Sequence, residues 1–101
     1  MYLYNVTVNV EDDIHDEWLN WMKNSHIPAV METGCFVANR MLKVLSEIEN
    51  NGTTYSLQYY FNKMEDYVRY QDKFAKGLQA EHTERYRDKF VAFRTLLEIV
   101  E

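Results

Sequence analysis

Twice along the chain the spacing of apolar residues switches from every second position to a helical repeat and back. Residues 2 to 10 alternate, with Tyr2, Tyr4, Val6, Val8 and Val10 on one face and Leu3, Asn5, Thr7 and Asn9 on the other. That is the pattern of a half-buried strand. "EDD" follows, where Asp13 can cap a helix whose first turn carries Asp16 and Glu17. Ile14, Trp18, Trp21 and Met22 then recur at helical spacing until Gly34, a residue suited to ending a helix. Pro28 removes one amide hydrogen and crowds the carbonyl of Asn24, so a bend is expected near residues 24–27.

Residues 35–47 read as a second strand, and Asn51-Gly52 is the strongest hairpin signal in the chain. A two-residue loop there pairs Leu42 with Phe61, Val44 with Tyr59 and Ile48 with Tyr55. One hairpin face then collects Leu42, Val44, Ile48, Tyr55, Leu57, Tyr59 and Phe61, the side that helices would cover. Asn62 and Glu65 suggest a capping box for a second helix. Met64, Tyr67, Val68, Phe74, Ala75 and Leu78 point inward along that helix, which can continue through "AEHTERYRD". A last strand spans 90–100.

The order β-α-β-β-α-β predicts an α+β, ferredoxin-like fold: a four-stranded antiparallel sheet with both helices on one face. No linker or repeat interrupts residues 1–101, so one domain is expected. The uncovered sheet face would hold Asn5, Thr7, Met41, Leu45, Ser56, Gln58, Tyr60, Arg94, Leu96 and Val100. That mixture is too apolar for open water and too polar for a dry core, which predicts a homodimer through this face.

Other classes are disfavoured by composition. Net charge is −5 and the eleven basic residues are scattered, whereas nucleic acid or an anionic membrane would require a basic stripe. No apolar run reaches the length of a membrane span. The start "MYLYNVTVNV" lacks the basic region and cleavage site of a signal peptide, and Cys35 is the single cysteine. A cytoplasmic protein is expected, and the sequons at Asn5 and Asn51 then read as chance matches.

With that element order, the whole chain resembles the dimeric α/β barrel superfamily, in which two such sheets meet face to face. "YNVTVNVEDDIHDEWLNWMKNSHIP", "GCF", "YSLQYYF" and "DKFVAFRTLLEIV" are similar to a family of small bacterial proteins of unknown function. The wider superfamily includes cofactor-free monooxygenases, small cyclases and isomerases, haem-degrading enzymes and ligand sensors. The resemblance therefore implies fold, dimer and a pocket between sheet and helices, but no single activity.

Few residues could carry chemistry. His26 lies four residues after Met22 and eight after Trp18, so an unbroken helix would turn it toward the sheet. Either it bonds a carbonyl freed by the break at Pro28, or it is a pocket acid, base or ligand. Arg40, in the register above, shares the covered face; it meets a carboxylate, awaits an anionic ligand, or is turned outward by a bulge. A pocket hypothesis groups His26, Arg40 and Tyr59, with Trp18 and Met22 as walls, for a small aromatic or acidic molecule. His82, one turn beyond Leu78, reaches the same cleft or lines the helix end. His15, among acids, is expected in solvent.

Tyr67, Tyr70 and Phe74 are most simply helix packing. Cys35 has no nearby base in sequence to make it a nucleophile. No HxH or HxxxH spacing or glycine-rich phosphate loop occurs, so neither metal nor cofactor is implied. Three readings follow: a small-molecule binding module, a cofactor-free monooxygenase- or isomerase-like enzyme, and a structural or interaction dimer without ligand.

Overall fold

The alternating N-terminal segment becomes the middle of a sheet. In the computed structural model, which describes residues 1–46 and 51–101, strand β1 (Tyr2–Glu11) lies between β3 (Gly52–Phe61) and β4 (Phe90–Glu98). Strand β2 (Ala38–Lys43) adds at the outer edge of β3. All pairings are antiparallel, in the order β2-β3-β1-β4. The first helical segment carries the chain from β1 over to β2, and the second carries it from β3 over to β4. This is the expected ferredoxin-like topology. Among the described residues, no helix is long and apolar enough to cross a membrane.

Each helix is interrupted by a wide turn. The first comprises His15–Trp21, a π-helical turn Met22–His26, and Ile27–Glu32. The break expected at Pro28 is therefore real, but the chain widens instead of stopping. Widening tolerates a residue that cannot donate to Asn24 and would press on its carbonyl. The second helix comprises Met64–Tyr70, a π-helical turn Gln71–Ala75, and Lys76–Arg85. No proline explains this second turn, yet it resets the helix phase. Met64 and Val68, placed inward by plain helical spacing, are exposed, whereas Tyr70 is buried.

Two expected caps are absent. Asp13 makes no capping bond and instead accepts from Lys89 Nζ at 2.7 Å. Lys63, not Asn62, precedes the second helix, with no side-chain cap. Gly34 does close the first helix in a left-handed conformation, φ 77°, its N–H donating to the Met31 carbonyl at 3.2 Å.

The hairpin register differs from expectation. Leu42 pairs with Ser56 rather than Phe61, a shift of five positions. An odd shift turns a strand over, so Leu42 and Arg40 lie on the uncovered face and Met41 on the covered one. The turn is not at Asn51-Gly52: Gly52 pairs with Glu11, and the Asn51 carbonyl accepts from Asp12 N–H at 3.0 Å. Pairing with the central strand outweighs the local turn preference. Ile48, expected opposite Tyr55, lies outside the described residues. Tyr55, Leu57, Tyr59 and Phe61 of β3 nevertheless face the helices and are buried, as expected.

Strand β4 is also reversed. Arg94 pairs with Val6 and Leu96 with Tyr4, which puts both on the covered side. Val91, Phe93 and Leu97 occupy the uncovered face in their place, and Val91 and Phe93 are 68% and 63% exposed. Leu45 and Val100 lie beyond the strand ends and are exposed.

The core is aromatic, with Trp18 and Phe61 fully buried. Phe36 stacks edge-on against Tyr70 at a centroid distance of 4.9 Å and lies 5.2 Å from Tyr59. Phe61→Ala should cost about 3–5 kcal/mol in urea unfolding. Val68→Ala, at a site the sequence pattern places inside, should change stability by less than about 0.5 kcal/mol.

Candidate functional site

Small side chains on the sheet leave room beneath the helices. Val6 and Val8 of β1 and Ala92 of β4 form part of the floor of a cleft, with Leu57 and Tyr59 of β3 beside them. Met22, His26 and Val30 close it from the first helix, and Tyr70, Gln79 and His82 from the second. Tyr4, Phe90 and Arg94 complete the lining. The cleft encloses about 40 Å³ and opens to solvent at its mouth.

The two histidines are brought together. Their ring centroids are 5.7 Å apart, and each is enclosed by aromatic rings. His26 lies 5.1 Å from Trp21; His82 meets Phe90 edge-on at 4.4 Å. Trp18 Nε1–H donates to His82 Nε2 at 2.9 Å, so that nitrogen carries no proton and neutral His82 holds its hydrogen on Nδ1. His26 has no comparable anchor: its Nδ1 is buried without a hydrogen-bond partner among the described residues. It does not bond a carbonyl freed at Pro28 through that atom. Burial holds His26 at a pKa of about 4. Burial, with smaller contributions from His26 and Arg94, holds His82 at about 4.

Of the residues grouped from the sequence, Met22, His26 and Tyr59 line the cleft together with His82. Trp18 stands behind His82 as its hydrogen-bond donor. Arg40 is elsewhere, opposite Gln58 on the uncovered face, because of the register shift. Arg94 occupies the cleft instead. Among the described residues it is the only formally charged side chain in the lining, and it sits beside the Tyr4 hydroxyl. Burial raises the pKa of Tyr59 and of Tyr70, so both hydroxyls stay protonated and can donate. Arg94, Tyr4 and Gln79 were missed by sequence reasoning. The signal for Arg94 was Phe90-x-Ala92-x-Arg94, an alternation masked by Val91 and Phe93 on the other face.

His15 is not in open solvent. It is partly buried, with Nε2 2.6 Å from the Tyr55 hydroxyl and Nδ1 2.9 Å from Asp16 Oδ1. Cys35 is buried near the Thr33 carbonyl. No group of three or more His, Cys, Asp or Glu among the described residues could hold a metal ion.

A family model described as a domain of unknown function (DUF4286) matches residues 1–100. No curated protein matches the sequence. Among solved structures, a dimeric ferredoxin-like protein from an uncultured marine organism superposes with a TM-score of 0.70 at 12% identity, covering 100% of this chain and 96% of that one. An ethyl tert-butyl ether D (EthD) family protein from Bacillus halodurans gives 0.69 at 9% identity, covering 99% and 100%. A second dimeric ferredoxin-like protein from an uncultured marine organism gives 0.66 at 13%, covering 99% and 97%. At these identities the likeness establishes the ferredoxin-like fold alone.

The buried imidazoles make stability pH-dependent. In the unfolded chain both titrate near 6.5, whereas in the fold they stay neutral down to about 4. As pH falls the unfolded chain takes up protons first, so stability falls from pH 6.5 toward 4 and levels off below. Asp13, held below its ordinary 3.8 chiefly by its hydrogen bond with Lys89, acts only under that window. Urea unfolding at pH 7.5 and 5 should differ by about 2 kcal/mol per imidazole. His82→Gln, which keeps an acceptor for Trp18, should roughly halve the difference.

Proposed function

We propose, for a chain that belongs to the domain family of unknown function DUF4286, that the cleft between sheet and helices binds a small, largely aromatic molecule. The observation that carries this reading is His26 Nδ1, a buried polar atom at the cleft wall with no partner among the described residues. Leaving such an atom unsatisfied costs about 1–3 kcal/mol, and a ligand's hydroxyl or carbonyl would recover it. Met22, His26 and Tyr59 contact the ligand; Trp18 acts through His82, and Arg40 takes no part.

A binding module is favoured over a cofactor-free monooxygenase or isomerase by the state of the imidazoles. A general base works best with a pKa near the working pH. His26 and His82 are held near 4, which suits neutral hydrogen bonding better than proton transfer. The buried single cysteine is consistent with a reducing, cytoplasmic setting.

The active unit in this reading is a homodimer closed through the uncovered sheet faces into an α/β barrel. Val91, Phe93 and Leu97 leave a wide apolar strip exposed on β4, more than an isolated surface needs to show. Beside it runs a polar row already bonded internally. Tyr60 donates to Gln58 at 3.1 Å, Gln58 to Ser56 at 3.2 Å, and Ser56 to Asn5 at 2.5 Å. Two of the similar structures are described as dimeric, which supports a dimer here.

Calorimetric titration with 2-naphthol should give saturable binding, one site per protomer. Val8→Trp, which fills the floor, should abolish it; absence of saturable binding to the native protein would remove the reading. Separately, sedimentation at micromolar concentration should show a dimer that Phe93→Glu converts to monomer.

A further inference from the structure

The cleft is apolar and neutral except at one point. Arg94 stands opposite Val6 on the covered side of the sheet, lining the cleft while its side chain remains open to solvent. The other cations with assigned partners are paired: Arg69 with Asp66, Arg85 with Glu17, and Lys89 with Asp13 and Glu11. Arg94 makes no ion pair with any described residue, and no carboxylate among the described residues lines the cleft, in a chain where sixteen acids outnumber eleven bases. The neighbouring groups, Tyr4, Tyr70 and Gln79, are neutral and can donate hydrogen bonds, so nothing beside Arg94 repels an anion.

Resting on the binding reading above, we propose that the ligand is a small aromatic monocarboxylate whose carboxylate is held by Arg94. The planar guanidinium fork matches a carboxylate with two parallel bonds. A single cation balances one negative charge, which favours a monoanion over a phosphate dianion. The ring then lies on Val6, Val8 and Ala92, and any second polar substituent faces the unpartnered Nδ1 of His26. Arg94 is thus the residue that sets orientation, and the valine-alanine floor sets flatness.

The test compares 2-naphthoate with its neutral isostere 2-naphthamide by calorimetry at pH 7.5 and low salt. The native protein should bind the acid at least about tenfold more tightly than the amide. Arg94→Gln should erase that preference, bringing acid affinity down to that of the amide, with circular dichroism and urea unfolding showing that the variant is folded. Arg94→Lys, which keeps the charge but loses the fork, should retain part of it. Equal affinity for both probes in the native protein, or a preference that survives Arg94→Gln, would overturn the assignment while leaving the binding reading standing. If neither probe binds, both fall.

Discussion

The double pairing of β1 is the constraint on which the rest of the structure depends. Tyr4 is bracketed by Tyr59 and Leu96, Val6 by Leu57 and Arg94, and Val8 by Tyr55 and Ala92. Because side chains alternate across a strand, fixing β1 decides which face of both neighbours meets the helices. The cleft floor is therefore assembled from three strands by one registration. It also explains why Gly52 is not a hairpin turn: its backbone is already engaged opposite Glu11. A strand bonded along both edges resists slipping, since a one-residue slip would expose Val8 and Val10 and bury Asn9.

Beneath the helices, polar groups are held in an aromatic surround and most are satisfied. The Trp18 indole and His82 imidazole satisfy each other across the interval between the two helices. That bond requires an unprotonated Nε2, so it and the desolvation of His82 favour the same charge state. His26 receives the same desolvation without the compensation, so one histidine is hydrogen-bonded and the other has a buried nitrogen with no partner among the described residues. The cleft wall thus holds, among the described residues, one hydrogen-bonded imidazole and one with an unpartnered nitrogen.

Much of this was legible in the sequence where a residue sat on an element with one clear period. Met22, Tyr59 and the buried Trp18 follow from the first helix and from β3, each with a distinct apolar face. His26 was singled out but not aimed, because its direction depends on how the turn before Pro28 is relaxed. Arg40 and Arg94 were exchanged for a different reason. "FVAF" is apolar on both faces, so alternation cannot say which side is covered. The register of β2 is set by pairing with β3 across a connection whose local signal, Asn51-Gly52, points to a different turn. Tertiary pairing made both decisions, and one sequence carries little information about it. The uncovered sheet face was expected to mix polar and apolar residues and does so, with its apolar part on other residues of β4 than expected.

The two π-helical turns have a consequence for how such a site could change. A π turn holds one more residue than an α turn, so each helix behaves as if a residue had been inserted into a regular rod. Removing one residue from Gln71–Ala75 would restore an ordinary helix with sound backbone bonding. It would also rotate Gln79 and His82 by about 100°, away from the sheet. The plain helix and the cleft-forming helix are thus separated by a single deletion rather than by many substitutions. A chain with two such turns can gain or lose one wall of its cleft in one step while its strands stay in register.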